Sequence, residues 1–183
     1  MELWDAIRGR RSIRAYRPDP VAEADLEYVL EAARWAPSWA NTQCAEFVIV
    51  TDPLVKQQLA GTMPGKNPAL PAFSQAPVII AACAVTRHSG FFKGSPATDK
   101  GDWMLFDVAL ALQNLTLAAH ERGLGTVHVG FFDSLKAREI LGLPDGHTVV
   151  ELLPLGRPAS EGAATSRRPL AEFVFYNRYG GKP

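Results

Sequence analysis

Leu3-Trp4-Asp5-Ala6-Ile7-Arg8-Gly9-Arg10-Arg11-Ser12-Ile13-Arg14-Ala15-Tyr16 sets a short helix and a basic segment back to back at the head of the chain. Leu3, Ala6 and Ile7 share one helical face over residues 2–8, and Gly9 supplies the stop. Arg10, Arg11, Arg14 and Arg17 then crowd into one short segment closed by Pro18, the densest basic cluster of the sequence. Arg10, Arg11 and Arg14 can converge on one anion, because the guanidinium fork matches phosphate, and Ser12 adds a hydroxyl. The same side chains can instead form a solvated face paired with Asp19, Glu23 or Asp25. The cluster by itself leaves both uses open.

Outward from this segment, helices and strands alternate. Residues 25–35 carry Leu26, Val29, Leu30 and Ala33 at helical spacing and end at Ala36-Pro37-Ser38. Residues 46–51 are apolar and β-branched, hence a strand, after which Asp52-Pro53 caps a helix stopped by Gly61. Residues 78–85 read as a buried strand. Residues 99–122 form the longest helical pattern, with Met104, Val108, Ala111, Leu112, Leu115 and Ala119 near one face. Residues 126–131 and 148–155 read as strands, and 134–141 as a helix capped by Asp133. The Gly- and Pro-rich stretches 62–77 and 86–98 read as loops. This interleaving predicts a single domain, residues 1–183, with a sheet covered by helices. The tail from Pro158 ends in Phe173-Val174-Phe175-Tyr176, which suits either an arm packed on a second protomer or an edge strand.

Composition narrows the function classes. Of 183 residues, 47% are hydrophobic and 21% charged, which excludes a disordered chain and allows one sizeable core. Lys plus Arg and Asp plus Glu are 19 each, so no bulk field favours nucleic acid. Cys44 and Cys83 cannot build a disulfide framework or a four-cysteine zinc site, and they suit a reducing compartment. The longest apolar run, residues 77–85, falls short of the ~20 residues of a membrane span. Early acids, Glu2 and Asp5, argue against a signal peptide. The expectation is a soluble cytoplasmic protein without a nucleic-acid or membrane partner.

Several motifs dissolve on inspection. Gly61–Asn67 has the wrong spacing for a phosphate loop and lacks Ser or Thr after Lys66. Gly123-Leu124-Gly125 lacks the third glycine of a dinucleotide fingerprint. No Gly-x-Ser-x-Gly elbow exists. His88, His120, His128 and His147 are dispersed, without metal-ligand spacing. His128 suits a pocket or a core; Cys44 suits packing or a reactive thiol. Pro37-Ser38-Trp39-Ala40-Asn41-Thr42-Gln43 is a polar loop whose Asn41 and Gln43 amides suit the edge of a planar heterocycle or a helix-ending turn. Gly156-Arg157-Pro158 adds a cation and a tight turn after the last strand.

Taken in order, four blocks resemble the FMN-dependent nitroreductase family. The opening Leu3–Tyr16 is similar to its Arg-Arg-Ser-x-Arg-x-aromatic start. Ala36-Pro37-Ser38-Trp39-Ala40-Asn41-Thr42-Gln43 resembles its Ala-Pro-Ser-x-x-Asn-x-Gln loop. Gly123-Leu124-Gly125-Thr126 is similar to its Gly-Leu-Gly-Thr segment, and Leu153-Pro154-Leu155-Gly156-Arg157-Pro158 falls where its last core strand ends. The resemblance spans essentially the whole chain. It implies an α+β fold, a central mixed β-sheet sandwiched by helices. It also implies a domain-swapped homodimer, with FMN at the interface and a C-terminal arm laid on the partner.

The resemblance assigns roles residue by residue. Arg10 and Arg14 hold the FMN phosphate and the polar flavin edge, with Arg11 and Ser12 beside them. Ser38, Trp39 and Asn41 come from the other protomer, in a loop that includes Pro37 and Gln43. Val127, His128, Val129 and Gly130 run along the ring, with the Gly130 N–H facing N5. Gly156 and Arg157 close on the phosphate. The implied activity passes hydride from NAD(P)H through FMN to nitroaromatic, quinone or other electron-poor acceptors in a ping-pong cycle, with no side-chain catalyst required. The alternatives are an FMN carrier or sensor without turnover, and a basic-loop domain for a phosphate ligand or a partner protein.

Overall fold

The computed structural model describes residues 1–183. Helices α1 (Leu3–Gly9) and α2 (Glu23–Arg34) precede β1 (Ala45–Val50). Helices α3 (Pro53–Ala60) and α4 (Leu70–Gln75) lead into β2 (Val78–Val85). A minimal hairpin, β3 (Phe91–Phe92) and β4 (Ser95–Pro96), precedes α5 (Met104–Glu121). Then come β5 (Gly125–Thr126), α6 (Ser134–Leu141) and β6 (His147–Gly156).

Apolar residues run without a break along β2, which marks a strand covered on both faces. Ile79, Ala81 and Cys83 pack with Leu59, Phe73 and Ala137 from α3, α4 and α6. Val78, Ile80, Ala82 and Ala84 pack with Val29, Val108, Leu112 and Leu115 from α2 and α5. The strand order is β1-β2-β6-β5, and all three ladders are antiparallel. The parallel element is a bridge from Ser12 to Thr126. It makes the sheet mixed and lays the basic segment on its edge, with the Ile13 N–H donating to Thr126 O at 2.9 Å. Gly125 permits this: a Cβ there would lie 2.6 Å from Ile13 Cγ1.

The differences from expectation have local causes. The long helix starts at Met104 because Gly101, at φ +70°, breaks the backbone. The Asp102 carboxylate there accepts from Met104 N at 3.0 Å. Stretch 62–77 contains α4, whose Pro71 sits in the first turn where a missing N–H costs nothing, and whose Ala72 and Phe73 are buried. Stretch 86–98 holds the β3–β4 hairpin. Segment 126–131 leaves the ladder after Thr126 and returns only at Val129, which bridges Leu152. The tail forms no strand; its only regular turn is Leu170–Glu172, and Phe173 to Tyr176 stay exposed. The edge-strand reading of that segment is therefore not realised. No helix is long and apolar enough to cross a membrane.

Candidate active site

Helix α1 ends at the sheet edge, and the tail returns over it. Ala159 N–H donates to Ala15 O at 3.0 Å, which starts the tail across the basic segment. Between them lies a cavity of about 920 Å³. Trp4, Ile7, Arg8, Arg10, Arg11, Ser12 and Arg14 line one side; Ala163, Thr165, Arg167, Arg168, Leu170 and Phe173 line the other. Six arginines and no carboxylate meet there.

The six are not equivalent. Arg11 turns back and donates to the Gly9 and Arg10 carbonyls at 3.1 and 2.9 Å, and to Arg8 O, satisfying the end of α1. Arg8 stacks on Trp4, and Arg168 on Phe173. Arg167 is held by Thr165 Oγ1 at 2.6 Å and by the Thr165 and Ser166 carbonyls. Arg10 and Arg14 have no side-chain hydrogen bond, and none of the six has an ion-pair partner within 4.0 Å. Burial, then the charges of Arg167 and Arg11, hold the Arg10 guanidinium below its ordinary pKa. An anion at this point would relieve all three.

Arg14 also lines a second cavity, about 390 Å³, together with Val127, His128, Val129, Gly130 and Phe131 on one wall and Pro64, Lys66, Asn67, Pro68 and Ala69 on the other. The two cavities share Arg14 and form one cleft, cationic at one end and amide-lined at the other. Val129 is fixed by two 3.1 Å bonds to Leu152, whereas the Gly130 and Phe131 N–H groups have no acceptor in the chain. His128 is tethered through Nδ1 to Glu151 Oε1. Asn67 links the walls: its Oδ1 accepts from Ala69 N at 2.9 Å and its Nδ2 donates to Phe131 O at 3.4 Å.

Loop 37–43 lies elsewhere. Pro37, Ser38 and Gln43 border a separate cavity with Ala33, Phe47 and Asp107. Ser38 Oγ accepts from Gln43 N at 2.9 Å. Ala40, Asn41 and Gln43 all adopt positive φ, between 46° and 57°. Such backbone costs on the order of 1–3 kcal/mol per residue and persists only where contacts enforce it. Trp39 N–H donates to Asp107 Oδ1 at 2.9 Å. Cys44, buried beside Asp107, has its thiol pushed up to about 11 by desolvation and then by that carboxylate, so it is packed and not poised to react.

Gly156 and Arg157 do not join the cleft. Gly156 is buried where a Cβ would lie 2.6 Å from Pro77 Cδ, so it serves packing at the end of β6. The Arg157 guanidinium faces Asp25 at 3.9 Å, as does that of Arg122. The expected pair is thus apart from the arginine cluster in this chain, and the structure brings Arg167 and Arg168 to that cluster. Sequence reasoning missed those two, Asn67 and Asp107. The Arg-Arg pair in the tail and the lone carboxylate on an apolar helical stripe were the available signals.

Comparison with known proteins follows the same outline. The sequence model of the Nitroreductase family matches residues 7–157. A Thermus thermophilus protein named NADH dehydrogenase is 32% identical over 201 residues, covering 96% of each chain. A Bacillus subtilis protein named FMN reductase (NAD(P)H) is 30% identical over 179 residues, covering 92% of this chain and 70% of that protein. The crystal structure of a nitroreductase family protein from Clostridium novyi NT is 28% identical, covers 99% of this chain and 96% of its own, and superposes with a TM-score of 0.78.

Proposed function

This chain belongs to the nitroreductase family, and on that premise we propose that it is an FMN-dependent NAD(P)H oxidoreductase acting on nitroaromatics, quinones or similar electron-poor acceptors. One observation carries the reading: a cleft with unpaired Arg10 and Arg14 at one end and free amides at the other. The residues fit the cofactor. Its phosphate bears nearly two negative charges, and Arg10, Arg14, Arg167 and Ser12 supply fork-shaped and hydroxyl donors without a competing carboxylate. The N–H groups of Gly130 and Phe131 suit the polar edge of a flavin. Arg14, present in both cavities, joins the two ends and would supply positive charge to offset the negative charge that grows on reduction.

Bound FMN supplies the two-electron chemistry between nucleotide and acceptor. Arg10, Arg14 and the Gly130 and Phe131 amides would hold and orient it. Lys66 and Asn67 border the same cavity and are placed to meet what stacks there.

We further propose that the active form is a homodimer. Leu3, Trp4 and Ile7 on α1, Leu105 and Phe106 on α5, and Phe173 to Tyr176 in the tail are all exposed. Large apolar groups in such number suit an interface. A second copy would cover them and bring its Ser38, Trp39 and Asn41 to this cleft.

The test is an anaerobic absorbance spectrum with added FMN, then with NADH and NADPH in turn. A bound flavin spectrum that bleaches with either nucleotide is the expected result. A bound flavin that persists with both would leave an FMN carrier, and failure to bind FMN would reject the cofactor.

A further inference from the structure

Asp107 is the one carboxylate in the buried stripe of α5, 2% exposed among Val108, Ala111 and Leu115. It has no cation within 4.0 Å. Its oxygens meet donors instead. Oδ1 accepts from Trp39 N at 2.9 Å; Oδ2 accepts from Ser89 Oγ at 2.6 Å, Thr42 Oγ1 at 3.4 Å and Cys44 Sγ at 3.5 Å. Three of those four residues lie on the segment 39–44, the one that holds Ala40, Asn41 and Gln43 at positive φ. A buried charge without a counterion is expensive unless its hydrogen bonds are made. Here every bond it makes runs to this loop or to Ser89, and none runs to the cleft of its own chain.

We infer that Asp107 is a positioning residue for the partner's cofactor site: it fixes, through a ring of donors, the loop that one protomer presents to the other's arginine cleft. This rests on the shared-site reading proposed above. The loop depends on the acceptor oxygens at this position. The Trp39 backbone N–H can only donate and needs one of them, and a leucine at 107, close to the aspartate in size, offers none to Trp39, Ser89 or Thr42. The strained turn then loses its anchor, and Ser38, Trp39 and Asn41 lose their geometry while the cleft in the same chain stays intact.

Subunit mixing separates action across the interface from action within one chain. One chain carries Asp107→Leu; the other carries Arg10→Ala with Arg14→Ala. Each has its own affinity tag, and co-expressed heterodimers are isolated through both. FMN retained after desalting is read by absorbance. Each variant homodimer is expected to bind FMN roughly tenfold or more weaker than wild type. The heterodimer is expected to retain one FMN per dimer, because one of its two sites joins an intact cleft to an intact loop. A heterodimer that retains none overturns the inference, since Asp107 then serves its own chain. So does an Asp107→Leu homodimer that binds FMN like wild type. A wild-type protein that fills with FMN as a monomer overturns the shared-site reading and the inference with it. Thr42→Val removes one donor and leaves the carboxylate in place. It is the second variant should Asp107→Leu not fold, and it is expected to show the same recovery with a smaller loss on its own.

Discussion

Arg10 and Arg14 stand in their cleft with no acceptor for either guanidinium, whereas each oxygen of Asp107, in the buried stripe of α5, is met by donors. The first arrangement is complete only when an anion arrives. The second is complete within the chain. Like charges held together oppose folding, and a satisfied buried network supports it. The two polar regions should therefore fail in opposite ways: damage to the cleft costs ligand and spares the fold, while damage to the Asp107 network costs stability first.

The largest expected effect breaks the cleft. Arg10→Ala with Arg167→Ala removes two charge-assisted contacts to a phosphate, each worth about 1.5–3 kcal/mol. FMN affinity, followed by quenching of flavin fluorescence, should fall by at least about a hundredfold. The melting temperature of the FMN-free protein should hold or rise, because the charges that depress Arg10 are relieved. A clear fall in that melting temperature would mean the arginines hold the tail down, and the contrast with the loop would collapse.

The next effect lies on the other side. Ser89 is fully buried and makes the shortest bond to Asp107, 2.6 Å. Ser89→Ala should cost about 1–3 kcal/mol of unfolding free energy, since it strips a donor from a buried carboxylate. Urea unfolding of the FMN-free protein measures it. If stability holds while FMN affinity drops by the same amount, the network belongs to the ligand site and not to the fold.

How much of this could be read beforehand varies with the kind of interaction. The continuous apolar run of β2, the Asp52 cap and the stripe on α5 are local signals, and they placed the sheet and its helices. Arg10 and Arg14 were legible because they sit together in sequence. Arg167 was not, because only the return of the tail over α1 brings it to Arg10. Asp107 was hidden for a related reason: its partners come from residues 39–44 and from Ser89, and no periodicity links them. Helix α4 was missed because its proline and short length mimic a loop until the burial of Phe73 is known.

A smaller effect sharpens the account of the loop. Ala40 holds φ 46°, ψ 28°, where an L-residue pays about 1–2 kcal/mol and glycine pays little. Glycine gives back roughly 0.5–1 kcal/mol in chain entropy. Ala40→Gly should thus be neutral to about 1 kcal/mol stabilising by urea unfolding. If Asp107 is what enforces the turn, the gain should be larger in the Asp107→Leu background, where the anchor is removed. An equal gain in both backgrounds would assign the turn's conformation to the loop itself.

Arg157→Ala should have the smallest effect of all. Its guanidinium is exposed, lies 3.9 Å from Asp25, and shares that carboxylate with Arg122. A solvent-screened pair of this kind contributes between zero and about 1 kcal/mol, and Arg122 remains to hold Asp25. The residue therefore stands outside both halves of the comparison. Unfolding free energy and FMN affinity should each stay within about 0.5 kcal/mol of wild type. The measurement still decides something, because the sequence resemblance put Arg157 on the phosphate, whereas the fold of the tail brings Arg167 beside Arg10 and Arg14. A tenfold loss of FMN affinity with unchanged stability would return Arg157 to the site, and would mean that the tail moves off α1 when the cofactor binds.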